Sequence, residues 1–515
     1  MTMPSDGDAQ PKRNPDRIRT GIAGLDDILG GGLTRNRLYL IEGTPGTGKT
    51  TLALQFLLEG ARRGETGLYI TLSETEEELH AVAASHNWSL DALSIFELIA
   101  EEGLDPEREQ SLLHPSEIEL GETIRDIRDR VERTQPARIV FDSLSEMRLL
   151  AQSPLRYRRQ ILALKHFFGN LQCTVLLLDD RTGEPRDLQL HSIAHGVVTL
   201  EQLAIGFGAE RRRLRVVKMR ATKFRGGYHD FILDTGGLSV FPRLVAAEHH
   251  GAFAADVFST GVAELDALLG GGLMPGTNTL LIGPAGVGKT STAVRCMLAA
   301  LERGEKAVYF LFDEGLGTVL TRAANLGMDL RPHVAAERLV IRQVNPAELS
   351  PGEFTAKVRH SVEHENARVV MIDSLNGYLQ AMPEEKFLVL QMHELLSYLN
   401  QQGVVTLMIL GQHGLVGDIR TDVDLSYLAD NILLLRFFEA DGEVRKAIAG
   451  VKTRTSEHER TIREFRLGAD GLRVGATLRG FEGILAGIPT YRGDTAPLPP
   501  SMTPTPTPIG TEEDA

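Results

Sequence analysis

The chain carries one phosphate-loop pattern twice, and this duplication restricts its fold more than any other feature of the sequence. The pattern G-x-x-x-x-G-K-[ST] occurs at residues 43–50 and again 240 positions later, at residues 283–290. The box T-G-I-A-G-L-D-D-I-L-G-G-G-L at residues 20–33 returns at the same separation as T-G-V-A-E-L-D-A-L-L-G-G-G-L at residues 260–273. A constant separation over two motifs indicates tandem duplication of one domain, and therefore two nucleotide sites.

Each loop lies in the setting that phosphate binding requires. In the first repeat an apolar, strand-like run at residues 38–41 precedes the loop, and a helical pattern follows it. Glycines let consecutive backbone N–H groups and the positive end of the helix meet the phosphates. The loop lysine is expected to reach the outer phosphates. The residues predicted to bind nucleotide are Gly43, Thr44, Pro45, Gly46, Thr47, Gly48, Lys49, Thr50, Thr51, Gly283, Pro284, Ala285, Gly286, Val287, Gly288, Lys289, Thr290 and Ser291.

The order of strand-like and helical stretches predicts an α/β fold. In the first repeat, strand-like runs at residues 37–41, 67–72, 138–141, 174–178 and 196–200 alternate with helical stretches, and two later runs at 214–218 and 228–233 resemble an antiparallel hairpin. We therefore expect two tandem domains, each a mostly parallel twisted sheet flanked by helices with a β-hairpin appendage. In such a sheet the nucleotide lies at the carboxyl ends of the strands.

Length and composition set the predicted domain bounds. A chain of 515 residues exceeds one ordinary core, and 42% hydrophobic with 24% charged residues fits a globular protein. We expect a disordered tail at 1–16, the first domain at 17–247, a linker at 248–256, the second domain at 257–490, and a Pro/Thr-rich disordered tail at 491–515.

Acidic residues follow the strands where a phosphate site needs them. Asp142 and Asp373 each end an apolar run downstream of a loop, and with Thr50 and Thr290 they are the predicted Mg²⁺ ligands. Glu74 in the first repeat and the pair Asp313–Glu314 in the second are candidate catalytic acids that orient or deprotonate the attacking group. The first repeat has Ser73 where the second has Asp313.

Two other sets of charged residues have structural interpretations. Thr75 and Glu78 have the spacing of a helix capping box, so Glu76, Glu77 and Glu78 are assigned a structural role. Basic pairs recur late in both repeats, either as charged strand edges or as groups that reach a neighbouring subunit's triphosphate. These pairs are Lys218 with Arg220 and Lys452 with Arg454.

With both repeats aligned, the chain resembles the KaiC family of RecA-like phosphate-loop ATPases. The resemblance runs from about residue 20 to 490 and rests on both G-G-G-L boxes, both phosphate loops, both D-S strand ends, and the segments K-M-R-A-T and K-T-R-T-S. It implies two tandem RecA-like domains, ATP and Mg²⁺ as ligands, and a double-ring homohexamer with nucleotide between subunits. It also implies slow ATP hydrolysis in the first ring and Ser/Thr autophosphorylation in the second.

The resemblance extends to site residues. In the family a pair of glutamates follows the second strand of each repeat; Ser73 departs from this pattern, whereas Asp313 and Glu314 match it with one conservative change. The Lys-x-Arg pairs match residues that act across the subunit boundary. The segment R-T-D-V-D-L-S-Y-L-A-D-N matches the family's phosphoacceptor segment and implies Ser426 and Tyr427 as acceptors, with tyrosine in place of threonine.

The net charge and the composition of the C-terminal tail indicate which partners to expect. A DNA-dependent recombination ATPase of the RecA/RadA type is an alternative function, because RecA-like cores also move DNA. A formal charge of −14 argues against nucleic acid as a partner, and the most basic run is Arg211–Arg213. We expect that run to be solvated or at a subunit edge. The sequence predicts no membrane span, a cytoplasmic location and reduced cysteines. The resemblance implies a KaiB-like partner on the first ring. It does not imply a KaiA-type partner, because the C-terminal tail diverges from the family. A nucleotide-gated scaffold with little turnover stays an alternative, because Ser73 stands where an acid is expected.

Overall fold

The computed structural model describes residues 17–98, 115–151, 153–181, 189–204, 208–380, 387–412, 426–485 and 490–491. These residues group into two compact units. One runs to Leu244 and includes Ala347–Lys357, and the other comprises Val245–Pro346 and the residues from Val358 onward. The predicted domain bounds and linker stay predictions, and the two predicted tails lie outside the described residues, apart from Tyr491.

The first repeat contains eleven described strands and seven described helices. The strands are β1 (Arg17–Ile18), β2 (Leu33–Thr34), β3 (Leu38–Glu42), β4 (Gly67–Thr71), β5 (Ser94–Glu97), β6 (Arg138–Asp142), β7 (Thr174–Asp179), β8 (Gly196–Leu203), β9 (Arg211–Met219), β10 (His229–Asp234) and β11 (Gly237–Phe241). The helices are α1 (Ala23–Ile28), α2 (Lys49–Arg62), α3 (Glu76–Ser85), α4 (Pro115–Thr134), α5 (Leu144–Ala151), α6 (Pro154–Asn170) and α7 (Gln189–Ile193).

The second repeat follows the same plan. Its strands are β12 (Asn278–Pro284), β13 (Ala307–Leu311), β14 (Leu339–Gln343), β15 (Val369–Asp373), β16 (Val405–Gln412), β17 (Asn431–Ala440), β18 (Glu443–Thr453), β19 (Ile462–Gly468), β20 (Gly471–Thr477), β21 (Phe481–Glu482) and β22 (Thr490–Tyr491). Its helices are a 3₁₀ turn (Ala246–Glu248), α8 (Ala263–Leu268), α9 (Lys289–Glu302), α10 (Leu316–Asn325), α11 (Arg331–Ala335), α12 (Pro351–Glu363), α13 (Leu375–Gln380) and α14 (Leu388–Gln401).

Each repeat is built on a nine-stranded sheet. The strand order is β11-β10-β9-β8-β3-β7-β6-β4-β5 in the first and β14-β13-β15-β16-β12-β17-β18-β19-β20 in the second. Six neighbouring strands of each sheet run parallel, and three at one edge are antiparallel, including a hairpin. The predicted fold class is thereby confirmed: two tandem RecA-like phosphate-loop domains.

The parallel strands form because both of their faces are covered. Strands β3, β4, β6 and β7 are buried along their whole length, as is usual where helices pack on both sides of a sheet. Buried clusters lie on the two faces of the first sheet, and β3 contributes Tyr39 and Ile41 to one and Leu38 and Leu40 to the other. Because β3 is central, the loop that follows it lies at the middle of the sheet's carboxyl edge.

Candidate nucleotide sites

Both phosphate loops hold their lysine in the same way. The Lys49 ammonium donates to the Gly43 and Thr44 carbonyls at 3.0 and 3.1 Å, and the Lys289 ammonium donates to the Gly283 and Pro284 carbonyls at 2.9 and 2.8 Å. Burial lowers the pKa of Lys289 to about 8. Each lysine is thus fixed inside its own loop at the first turn of α2 or α9.

Two glycines of the second loop lie so close to neighbouring residues that a side chain would not fit. A Cβ on Gly283 would lie 2.4 Å from the Leu435 carbonyl oxygen. Gly288, at φ +116°, is in the left-handed region, and its Cβ would lie 2.7 Å from the Leu467 side chain. The loop can therefore pack against β17 and β19 as it does only with glycine at these positions.

At the second site the predicted magnesium ligands lie together. The Thr290 hydroxyl donates to an Asp373 carboxylate oxygen at 2.9 Å, and the Tyr309 hydroxyl donates to the same oxygen at 2.8 Å. Burial raises the pKa of Asp373, while these two hydrogen bonds oppose the rise. A carboxylate beside a loop hydroxyl is the arrangement that organises Mg²⁺ on a nucleotide.

The two candidate acids of the second site have different partners. Arg322, on α10, donates to both Glu314 carboxylate oxygens, at 2.5 and 2.7 Å. Asp313 instead accepts a hydrogen bond from the hydroxyl of Ser374, the residue after Asp373. Both Glu314 oxygens therefore accept from one Arg322 nitrogen, Nη1, whereas Asp313 is linked to the residue after β15.

A cleft of about 850 Å³ opens beside this loop. Its walls include the loop residues Lys289 and Thr290, Thr321 and Arg322 of α10, and Lys446 of β18. In the described part of the chain, no three His, Cys, Asp or Glu side chains come together as a metal site. Mg²⁺ bound with a nucleotide takes one or two protein ligands and completes its shell with phosphate and water, so Thr290 and Asp373 fit that role.

The first site has a carboxylate that its counterpart lacks. Asp180, directly after β7, forms an ion pair with the Lys49 ammonium at 2.7 Å. The sheet registers pair Glu42 with Asp179 and Ile282 with Leu410, so the residue equivalent to Asp180 in the second repeat is Gly411. Sequence reasoning missed Asp180, although its position at the end of the strand beside β3 could have indicated it.

Two other carboxyl groups of the first site, those of Asp142 and Glu74, have raised pKa values. Asp142 accepts a hydrogen bond from the Tyr69 hydroxyl at 2.6 Å, and burial raises the pKa of Asp142 to about 6. Burial, followed by the charges of Asp142, Glu78 and Asp180, raises the pKa of Glu74 to about 7. One Glu74 carboxylate oxygen is buried without a hydrogen-bond partner among the described residues. Glu74 is therefore poised to exchange a proton near neutral pH.

Comparison with known families identifies the family of the chain. The family described as "ATPase: KaiC" matches residues 18–245 and again residues 258–479. The chain belongs to the KaiC family of ATPases.

Several KaiC proteins align with nearly the whole chain. The circadian clock protein KaiC3 of Synechocystis sp. is 27% identical over 481 residues, which cover 92% of this chain and 95% of that protein. The circadian clock oscillator protein KaiC of Synechococcus elongatus is 27% identical over 490 residues, or 92% of each chain. That of Picosynechococcus sp. is 26% identical over 509 residues, or 95% of each. The predicted KaiC resemblance is confirmed, and it makes this chain a nucleotide-binding ATPase.

The basic pairs of this KaiC-family chain contact their own backbone. In the second repeat, Lys452 donates to the Ser426 carbonyl at 2.9 Å and Arg454 donates to the Tyr427 carbonyl at 2.7 Å. In the first, the Lys218 ammonium donates to the carbonyls of His191 and Ala194, and Arg220 to that of Ser192. Each pair is a clamp on the turn that precedes a central strand, and its action on a neighbouring subunit stays a prediction.

The predicted acceptors of the KaiC-like segment lie on the clamped turn. Tyr427 is 53% exposed, and Ser426 is half-buried. The matching residues before them, 421–425, lie outside the described part of the chain. Asp430 accepts hydrogen bonds from the Asn278 amide and the Asn400 side chain, which fixes the end of the turn against the sheet.

Of the two expectations for the arginine run, the solvated one is wrong for Arg211, and a place at a subunit edge stays a prediction. Its side chain is buried, and it donates to the Ala347 and Glu348 carbonyls within the first unit. Arg213 pairs with Glu201 at 2.9 Å and stacks over the Tyr228 ring. Both guanidinium groups have partners within the protein, which disfavours them as a nucleic-acid surface. No helix in the described residues is long and apolar enough to cross a membrane.

Proposed function

We propose that the chain is an ATP-hydrolysing, self-phosphorylating hexamer that acts as a regulatory switch, with nucleotide held between subunits. The observation that carries the proposal is the clamp on the Ser426–Tyr427 turn. Lys452 and Arg454 bind the carbonyls of the two acceptor residues, so the hydroxyl groups and two cations occupy one surface element. Cations beside an acceptor hydroxyl suit transfer of a phosphoryl group, because charge develops on its oxygens.

In the second ring, Ser426 is the proposed nucleophile on the γ-phosphate bound by the adjacent subunit. Lys289, Thr290 and Asp373 would hold Mg-ATP, and Mg²⁺ would neutralise phosphate charge. Asp313 would take the hydroxyl proton. It is favoured over Glu314 because Arg322 occupies both Glu314 oxygens. Tyr427 is the second proposed acceptor.

In the first ring, water is the proposed nucleophile and Glu74 the proposed base. Lys49, Thr50 and Asp142 would hold Mg-ATP, and Lys218 and Arg220 would act across the boundary. The raised pKa of Glu74, about 7, suits proton transfer near neutral pH. Asp180 competes with phosphate for Lys49, which supports slow turnover.

Phosphorylation would be the switch in this proposal. A phosphate on Ser426 adds about −1.5 to −2 charges beside Lys452, Arg454 and Asp430, which would change how the clamp is held. A KaiB-like protein on the first ring is the proposed partner, by analogy with the family.

The test is phosphosite mapping of the full chain after incubation with Mg-ATP. We expect phosphate on Ser426, loss of most label in Ser426→Ala, and retention of the Ser426 label in the control Tyr427→Phe. Mass spectrometry that finds no phosphate between residues 421 and 427 would contradict the autokinase.

A further inference from the structure

The turn that carries Ser426 has a structural equivalent in the first repeat. The first sheet pairs Tyr39 with Gly196 and the second pairs Thr279 with Asn431, and Tyr39 and Thr279 are the equivalent positions of the two repeats. Counting back five residues from each strand start gives His191 and Ser426.

The clamps confirm this equivalence independently. Lys218 binds the His191 carbonyl as Lys452 binds that of Ser426. Arg220 binds the Ser192 carbonyl at 2.8 Å, and Arg454 binds that of Tyr427 at 2.7 Å. Where the second repeat has Ser-Tyr, the first therefore has His-Ser, held by the same cations.

His191 also has a partner that prepares an imidazole for attack. Its Nε2 lies 2.9 Å from the carboxylate of Glu42, a buried residue directly before Gly43 of the phosphate loop. The Thr199 hydroxyl donates to the other Glu42 oxygen at 2.8 Å. Burial acts to raise the pKa of Glu42, but the hydrogen bonds from His191 and Thr199 outweigh it and the pKa is lowered.

The charge on Glu42 fixes the tautomer of the neutral ring. An ionised carboxylate only accepts hydrogen bonds, so Nε2 must donate and the lone pair of a neutral imidazole lies on Nδ1. No hydrogen bond to that Nδ1 is found within the described residues. A carboxylate that orients an imidazole and stabilises its positive charge is the arrangement of catalytic histidines.

We propose that His191 is a phosphoacceptor of the first ring, taking the γ-phosphoryl group at Nδ1 from ATP on a neighbouring subunit. This inference rests on the proposed function, because the ring brings the equivalent turn to the neighbour's nucleotide. The Nδ1 lone pair forms the N–P bond, the bond from γ-phosphorus to the β,γ-bridging oxygen breaks, and its electrons leave with ADP. The ring becomes cationic, and Glu42 balances that charge through Nε2–H.

The chemistry of a phosphoramidate supplies the test. The full chain is incubated with radiolabelled Mg-ATP at pH 8, and label that is acid-labile but stable to alkali is compared with acid-stable label. We expect Ser426→Ala to keep acid-labile label and His191→Gln to lose it while retaining phosphate on Ser426. In Glu42→Gln the acid-labile label should fall by about tenfold or more, as when a histidine loses its orienting carboxylate.

Each contrary outcome has a separate meaning. Phosphate on Ser426 with no acid-labile label in any protein overturns the inference and leaves the proposed function standing. Acid-stable label on Ser192 overturns it as well, since the equivalent hydroxyl would then be the acceptor. Absence of both kinds of label overturns the inference and the proposed autokinase together. Retained Ser426 phosphate in His191→Gln shows that this variant is folded and assembled.

Discussion

At the scale of single residues, Glu74 links burial to pH dependence. Its pKa is raised from 4.5 to about 7, so between these values the folded chain holds a proton that the unfolded chain has lost. Stability from this group is therefore fully present below pH 4.5 and is lost as the pH rises through 7. In the proposed mechanism the charged form of Glu74 accepts the proton, so hydrolysis should rise with pH over the range in which stability falls.

We predict that Glu74→Gln removes part of the loss of stability between pH 5 and 8, because its side chain stays neutral throughout. The measurement is the urea midpoint of the nucleotide-free chain against pH. Glu77→Gln, an exposed acid on α3 three residues after Glu74, is the control and should follow the unsubstituted chain. Parallel pH curves for Glu74→Gln and the unsubstituted chain would contradict the raised pKa.

A second residue-scale prediction concerns Gly288. Alanine there should destabilise the second repeat by about 1–2 kcal/mol, because a side chain is strained at this φ and its Cβ would press on Leu467. It should also weaken ATP binding. Gly317→Ala is the matched control, since Gly317 lines the same cleft, has no positive φ and has nothing within 4 Å of an added Cβ. Thermal unfolding and nucleotide titration of both variants measure the difference.

At the scale of elements, α3 tests the sequence pattern most directly. The predicted capping box is confirmed: the Thr75 hydroxyl accepts from the Glu78 amide at 3.2 Å, and the Glu78 carboxylate accepts from the Thr75 amide at 2.8 Å. These bonds satisfy N–H groups that the first helical turn leaves without partners.

Thr75→Ala should therefore cost about 1 kcal/mol of unfolding free energy, a typical loss for an N-cap. Ser85→Ala, at the other end of the same helix, should change it by less than about 0.5 kcal/mol. Equal effects of the two substitutions in denaturant titrations would mean that the cap contributes nothing specific.

The strands show which elements sequence can predict. Residues 67–72 and 174–178 were predictable because strands buried on both faces are uninterrupted apolar runs. The edge strand β5, Ser-Ile-Phe-Glu, is only partly buried and carries no such run, so it was missed. Strand β11 was missed because its Gly-Leu-Ser-Val-Phe follows directly on the turn after β10.

Some site residues could likewise be predicted from the sequence and others could not. Lys289, Thr290 and Asp373 were predictable because a local motif or a strand end marks each of them. The pairing of Glu314 with Arg322, the Lys49–Asp180 ion pair and the Glu42–His191 contact were not, because each joins groups whose meeting depends on packing or on strand order. The ion pair at Lys49 also distinguishes two loops that look equivalent in sequence.

At the scale of the whole molecule, the duplication gives two versions of one site with different chemistry. In the first site Asp180 pairs with the loop lysine, and His191 lies on the clamped turn. In the second site Gly411 replaces that acid, and Ser426 lies on the turn. The proposed slow hydrolysis at the first site follows from the extra acid, Asp180, and the proposed autokinase at the second follows from the serine, Ser426. The histidine carries the separate inference of a phosphoacceptor in the first ring. The central claim of the account is that phosphate passes between subunits.

That claim is tested most directly by mixing two inactive variants. Lys289→Ala is expected to lose ATP at its second site but keep Ser426, whereas Ser426→Ala keeps the site but lacks the acceptor. Each variant alone should show no phosphate on Ser426. Co-expressed with different tags, mixed hexamers should carry phosphate on Ser426 of the Lys289→Ala subunits. Mixed assemblies without that phosphate, alongside normal labelling of the unsubstituted chain, would contradict transfer between subunits.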